Sequence, residues 1–316
     1  MLSRAASNLH WLARYMERAE NLARLIQVTQ RMAATAPGEH RAGRGSEWHS
    51  AIVSAGCEED FYAKYDTATA ATVIDFLARD PDNPSSIMNC MQTARHNARA
   101  VRIALSADMW DTVNESWIEA RSLTTDDFAP NRIGAVLDWT KRRCLQFTGS
   151  YTVTMLRRDS YFFTCLGTFI ERADNTARLL DVKYHVLLPS ADGIGGALDY
   201  YHWTAILRAV SATRAYNVLY NGRIQPWNVA DMLIFSPELP RSLLSSMAQI
   251  NDNLNALSAA YGGTRGECHR LAGHTHAELK FGRIDAVYRQ GLHEYLTAFI
   301  DRNTQLGLEI SRFYLM

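Results

Sequence analysis

Residues 15–25 read YMERAENLARL, and residues 169–179 read FIERADNTARL. One charged line is thus written nearly twice, with Glu17 and Glu171 standing 154 positions apart. The correspondence runs on from there. Trp48 and Trp203 are 155 apart, as are Tyr65 and Tyr220, and VIDFLARDPDNPSSI at 73–87 answers VADMLIFSPELPRSL at 229–243 with an offset of 156. An offset held almost constant through four landmarks marks an internal repeat.

Around each copy the apolar residues recur at helical spacing: Leu9, Leu12, Met16, Ala19, Leu22, Ala23 and Ile26 in the first, Leu166, Phe169, Ile170, Ala173, Ala177 and Leu180 in the second. Pro and Gly fall mainly between such runs, and no alternating β-branched stretches are bounded by hairpin turns. The expected fold is all-α, a helical bundle of two tandem, pseudo-twofold-related repeats of about 155 residues each (1–156 and 157–316) forming one compact domain over 1–316. In each half a long ER helix precedes a Trp helix, a short helix ending at a Pro-x-x-Pro turn, a helix starting near Ser86 or Ser242, and a long closing helix at 132–157 or 277–313.

The composition excludes several functions. Of 316 residues, 47% are hydrophobic and 21% charged, and 33 Lys plus Arg balance 33 Asp plus Glu, so no net field recruits nucleic acid or an acidic membrane. The first twenty residues scatter charge without an apolar stretch, unlike a signal peptide, and no run of ~18 apolar residues occurs. Cys57, Cys90, Cys144, Cys165 and Cys268 form no CxxC pair. A soluble, cytoplasmic protein is expected.

On a helix, Glu17, Asn21 and Arg24 share one stripe, flanked by Arg14 and Arg18. Glu171, Asn175 and Arg178 form the same stripe in the second copy, beside Arg172, Asp174 and Asp181. Ala19, Ala23, Ala173 and Ala177 leave room for close helix approach, which would strip water from these charges. A desolvated carboxylate needs a partner, so the two ER helices are expected to meet, with Arg18, Arg24, Arg172 and Arg178 satisfying Glu17 and Glu171. Three uses of the stripe remain open: a structural ion-pair network, a groove whose arginines receive an anionic ligand or acidic tail, or Glu17 and Glu171 as a catalytic acid and base.

These residues also carry a family likeness. WLARYMERAENLARL, ARHNARAVRIALSADMWDTVN, LGTFIERADNTARLLDVKYH and SPELPRSL resemble the alpha-E domain family, bacterial all-helical proteins named for their ER motif, over essentially the whole chain. The matching positions are Trp11, Arg14, Tyr15, Glu17, Arg18, Asn21 and Arg24, then Glu171, Arg172, Asp174, Arg178 and Asp181. The central family segment Arg-Glu-Asn-Ala-Arg is here Arg95-His96-Asn97-Ala98-Arg99, without the carboxylate. The resemblance implies association with circularly permuted ATP-grasp ligases and transglutaminase-like proteins, and so a part in making or trimming peptide or amide bonds.

Other candidates are weaker. Arg95, Arg99 and Arg102 form a basic stripe that could hold an anion or pair with acidic neighbours. Pro84-Ser85-Ser86 and Pro240-Arg241-Ser242 look like helix starts whose main use is capping by the serine hydroxyls, although Arg241 beside one of them could bind an anion. Cys268, His269, His274, His276 and Glu278 lack the i, i+4 spacing of helical metal ligands. GEHRAGRG, with His40, Arg41 and Arg44, and DGIGG follow no strand and are no phosphate-binding signature. No GxSxG or kinase signature is present, and no Cys–His pair is convincing as a catalytic one. No metal or cofactor is expected. The reading is an accessory subunit that presents a peptide or acyl acceptor to an ATP-grasp amide ligase. The alternatives are a stand-alone enzyme acting through the ER glutamates on an amino-acid or peptide carboxylate, and a module binding a small anion.

Overall fold

The computed structural model describes residues 3–34, 42–43, 45–187 and 197–316. His40, Arg41, Arg44 and the DGIGG segment lie outside them. The chain is 78% helical, and the described residues include no strand. In order, the helices are α1 (Ser3–Ala33), α2 (Glu47–Ala55), α3 (Glu58–Tyr62), α4 (Ala70–Ile74), α5 (Ile87–Ala100), α6 (Ala107–Ala120), α7 (Gly134–Thr154) and α8 (Asp159–Leu187). They continue with α9 (Ala197–Ala209), α10 (Thr213–Tyr220), α11 (Pro226–Phe235), α12 (Leu243–Ala260), α13 (Glu267–Phe281), α14 (Ile284–Gln290) and α15 (Leu292–Phe313). Among the described residues no helix is long and apolar enough to cross a membrane.

The two ER helices, α1 and α8, pack along each other at the centre. Helices α5, α7 and α9 pack on α1, and α2, α12 and α15 pack on α8. Leu9, Leu12, Met16 and Ile26 of α1 and Leu166, Ile170 and Leu180 of α8 are buried, each side chain contributing roughly 1.5–3 kcal/mol of apolar transfer. Small residues set the spacing. Ala13, Ala19, Ala23, Ala173 and Ala177 are buried, and Gly167 lies so close to α1 that a Cβ there would overlap the carbonyl oxygen of His10.

Corresponding landmarks make corresponding contacts. Tyr65 donates its hydroxyl to Asp75 at 2.8 Å, and Tyr220 donates to Asp231 at 2.8 Å. Ser86 caps α5 by accepting from the Asn89 N–H, and Ser242 caps α12 by accepting from the Ser245 N–H, satisfying backbone donors that the first turn leaves free. After the Trp helices α2 and α9 the backbone turns left-handed at Gly56 (φ 71°) and Ser211 (φ 59°).

One expectation fails. The closing helix at 277–313 is three helices, interrupted at Gly282 and Gly291. Gly291 adopts φ 103°, outside the helical region and open chiefly to glycine, so α14 ends there and α15 starts afresh. Its first-half counterpart, expected over 132–157, is the continuous α7.

Candidate functional site

Where α1 crosses α8, the ER pairs exchange partners. Arg18, next to Glu17 in sequence, donates through Nε to Glu171 Oε1 at 2.6 Å and through Nη2 to Glu171 Oε2 at 3.1 Å. Arg172, next to Glu171, donates in the same forked manner to Glu17, at 2.9 and 2.8 Å. Each guanidinium also lies over an aromatic ring one turn earlier, Arg18 on Tyr15 and Arg172 on Phe169. Arg14, over Trp11, gives Glu171 a second cation at 2.8 Å. Glu17 receives its second from Arg241 at 3.2 Å.

The next turn repeats the design within each helix. Arg24 bonds Glu20 at 2.9 Å and Arg178 bonds Asp174 at 2.6 Å, both at i, i+4. Both arginines then reach a backbone carbonyl at the end of a Trp helix, Arg24 that of Ala209 and Arg178 that of Ser54. The sequence had assigned Arg24 and Arg178 to Glu17 and Glu171. They instead hold Glu20 and Asp174, because i, i+4 spacing lies within one guanidinium's reach and i, i+7 does not. Glu20, buried, was missed. Its position one turn before Arg24, matching Asp174 before Arg178, was the available signal.

Burial pushes the Glu171 carboxyl up, but Arg18 and Arg14 outweigh it and hold the group at about 2. At Glu17 burial is likewise overcome, by Arg172 and Arg241, and the carboxyl stays below its ordinary range. Asp174 goes the other way: burial raises it, Glu171 nearby adds to the rise, and Arg178, with Arg14 farther off, does not restore it.

A cleft of about 280 Å³ opens beside this crossing. Its walls come from α1 (Arg18, Asn21), the end of α2 (Ser54–Cys57), the Asn83–Ser85 turn and α8 (Glu171, Asp174, Asn175, Arg178). Arg18 Nη1 donates to Ser85 at 3.2 Å. Asn175 bonds back to the Glu171 carbonyl, whereas the Nδ2 of Asn21 is buried with no hydrogen-bond partner. Burial beside Asp60 pushes the Cys57 thiol up to about 12, which leaves it protonated.

The remaining candidates do not line this cleft. Arg95 donates to Asn114 at 2.9 Å, Arg99 is exposed, and Arg102 lies over Trp110. Asp181 meets His293 at 2.7 Å. Arg241, read as an anion holder at a helix start, is a charge partner of Glu17 and Glu20. His269 Nδ1 accepts from the Gly266 N–H, and His274 faces Glu278 at 3.4 Å. No group of three or more potential metal ligands occurs among the described residues.

The chain is 25% identical over 287 residues to an uncharacterized protein of Mycobacterium bovis and, to the same extent, to uncharacterized proteins of two strains of Mycobacterium tuberculosis. The match covers 84% of this chain but 31% of each relative, so the chain spans about a third of the length of these proteins. No solved structure gives a significant match. A family model described as a predicted alpha-helical domain with a conserved ER motif matches residues 1–315. With the exchanged ER pairs at its centre, the chain belongs to the Alpha-E family.

Proposed function

We propose that this chain is a binding subunit that holds an amino-acid or peptide acceptor for a circularly permuted ATP-grasp amide ligase, in the cytoplasm where ATP is at hand, with a transglutaminase-like protein as a further partner. The observation that carries the reading is the cleft beside the ER crossing, about 280 Å³, lined by fixed charges and by the side chains of Asn21 and Asn175. Such a site can orient a small polar ligand, because its charges are already held in place by one another. The mycobacterial relatives carry the matched region inside a chain about three times longer, which agrees with a unit that works beside another.

The same geometry disfavours a stand-alone enzyme that uses Glu17 and Glu171 as its acid and base. A general acid at neutral pH needs a carboxyl raised toward 7, and Arg18 with Arg14, or Arg172 with Arg241, holds Glu171 and Glu17 low. The recurring contacts of the two halves further suggest descent from one helical unit. The test is reconstitution with a circularly permuted ATP-grasp ligase from the same cell. Amide formation on a peptide acceptor should require this chain and should fall with Asn21→Ala. A ligase that neither binds the chain nor turns over faster with it would overturn the proposal.

A further inference from the structure

The two ends of the ER crossing are unequally filled. At one end Glu17 and Glu20 share three guanidiniums, and Arg241 bridges both carboxylates, reaching Glu20 at 2.6 Å. At the other end Glu171 and Asp174 also have three, but Arg14 and Arg18 both go to Glu171. Asp174 is left with Arg178 alone. The difference lies in two positions: Arg14, on Glu171, stands where the second half has Thr168, and Arg241 has only a serine as its counterpart. Pro240-Arg241-Ser242 in the second half answers Pro84-Ser85-Ser86 in the first, so a serine stands where the other end has Arg241. The Ser85 hydroxyl reaches Arg18. The cleft lies between Ser85 and Asp174, and both line it.

We propose that this cleft receives a cationic head group, the guanidinium or ammonium of a basic amino acid or peptide side chain, against Asp174, as Arg241 sits against Glu20 at the other end. The inference rests on the cleft being the acceptor site and adds the acceptor's chemistry. A second acidic residue, Asp60, lines the same cleft, as does the Asn21 side chain. A bound cation would also relieve the raised Asp174 carboxyl by giving it the second partner it lacks. The volume suits one long side chain and its backbone atoms, not a folded partner.

The experiment is calorimetric titration of the purified chain with N-acetyl-arginine amide and with its neutral isostere N-acetyl-citrulline amide. Arginine should bind about ten-fold or more tighter than citrulline, the effect of a charge-assisted hydrogen bond. Asp174→Asn should remove that preference. Ser85→Arg should place a guanidinium against Asp174 from the protein itself, abolishing binding while the melting temperature holds or rises. A Ser85→Arg chain that still binds arginine overturns the proposal, and the Asp174→Asn titration decides the matter on its own if Ser85→Arg does not fold. Equal binding of the two probes, or tighter binding of the citrulline probe, removes the cation but leaves the acceptor site standing. No binding of any probe removes both.

Discussion

Arg18 rests on the carboxylate of Glu171, a residue 153 positions away, and not on Glu17 beside it in sequence. On a helix, adjacent residues point about 100° apart and do not face each other, so an adjacent Glu-Arg pair is built to serve a neighbouring helix. Two such pairs on crossing helices close a ring: Glu17 to Arg172, and Glu171 to Arg18. The ring fixes the register of α1 on α8, because sliding one helix by a turn of about 5.4 Å would break both forks together.

Removing one buried carboxylate from this ring leaves partly buried guanidiniums without a counter-charge. Glu171→Gln and Glu17→Gln should each lower stability by about 3–5 kcal/mol. Because the two forks share one helix crossing, the double variant should lose less than the sum of the singles. Urea denaturation of the three variants checks this; singles within about 0.5 kcal/mol of the parent would mean that the ring is ornamental.

Gly167→Ala is a sharper probe of the helix contact. Alanine is the better helix former by about 1 kcal/mol, and on an exposed face the change would stabilise α8. Here the added methyl group meets the carbonyl oxygen of His10 and approaches the Ala13 methyl to 3.1 Å. Backbone atoms yield little, so the variant should be destabilised by about 1–3 kcal/mol or more. A urea midpoint unchanged or raised relative to the parent would contradict the close crossing.

Much of this was legible in the residues themselves. The helical period, the capping serines at 86 and 242 and the meeting of the ER helices all follow from spacing and side-chain chemistry. The partner of each arginine was not, because pairing depends on which side chains the crossing angle brings within hydrogen-bond reach. Arg24 and Arg178 found nearer carboxylates one turn away in their own helices. A helix start beside an arginine suits an anion, and the anions Arg241 meets are Glu17 and Glu20 of α1. The break at Gly291 could have been suspected from the glycine but not placed without its positive φ.

Cys57 tests whether the cleft has a hidden nucleophile. Its thiol is pushed up to about 12 by burial and then by Asp60; at pH 8 roughly one molecule in ten thousand carries the thiolate. Native protein should therefore resist iodoacetamide at Cys57 for as long as urea-unfolded protein is alkylated quickly, as peptide mass mapping would report. Cys57→Ala should keep ligand binding. Fast native alkylation would instead mean an activated cysteine at the cleft.

Acid should unfold the chain through two buried groups acting in the same direction. Burial, with Arg14, lowers His10 from 6.5 to about 3, so the folded state holds a neutral imidazole where the unfolded chain takes up a proton. Its contribution is complete above pH 6.5 and is lost as pH falls toward 3. Glu171 is lowered from 4.5 to about 2 by Arg18 and Arg14 against its burial, so its contribution is complete above 4.5 and is lost between 4.5 and 2. Glu17 shifts the same way, while Asp174, raised by burial, opposes them by losing stability as pH rises through its folded value. Each net proton taken up on unfolding tilts stability by about 1.4 kcal/mol per pH unit. The urea midpoint should thus fall gently from pH 6.5 to 4.5 and more steeply below it, and His10→Phe, if folded, should flatten the upper segment alone. A midpoint constant down to pH 4 would show that His10 titrates normally and that α1 does not bury it against α8.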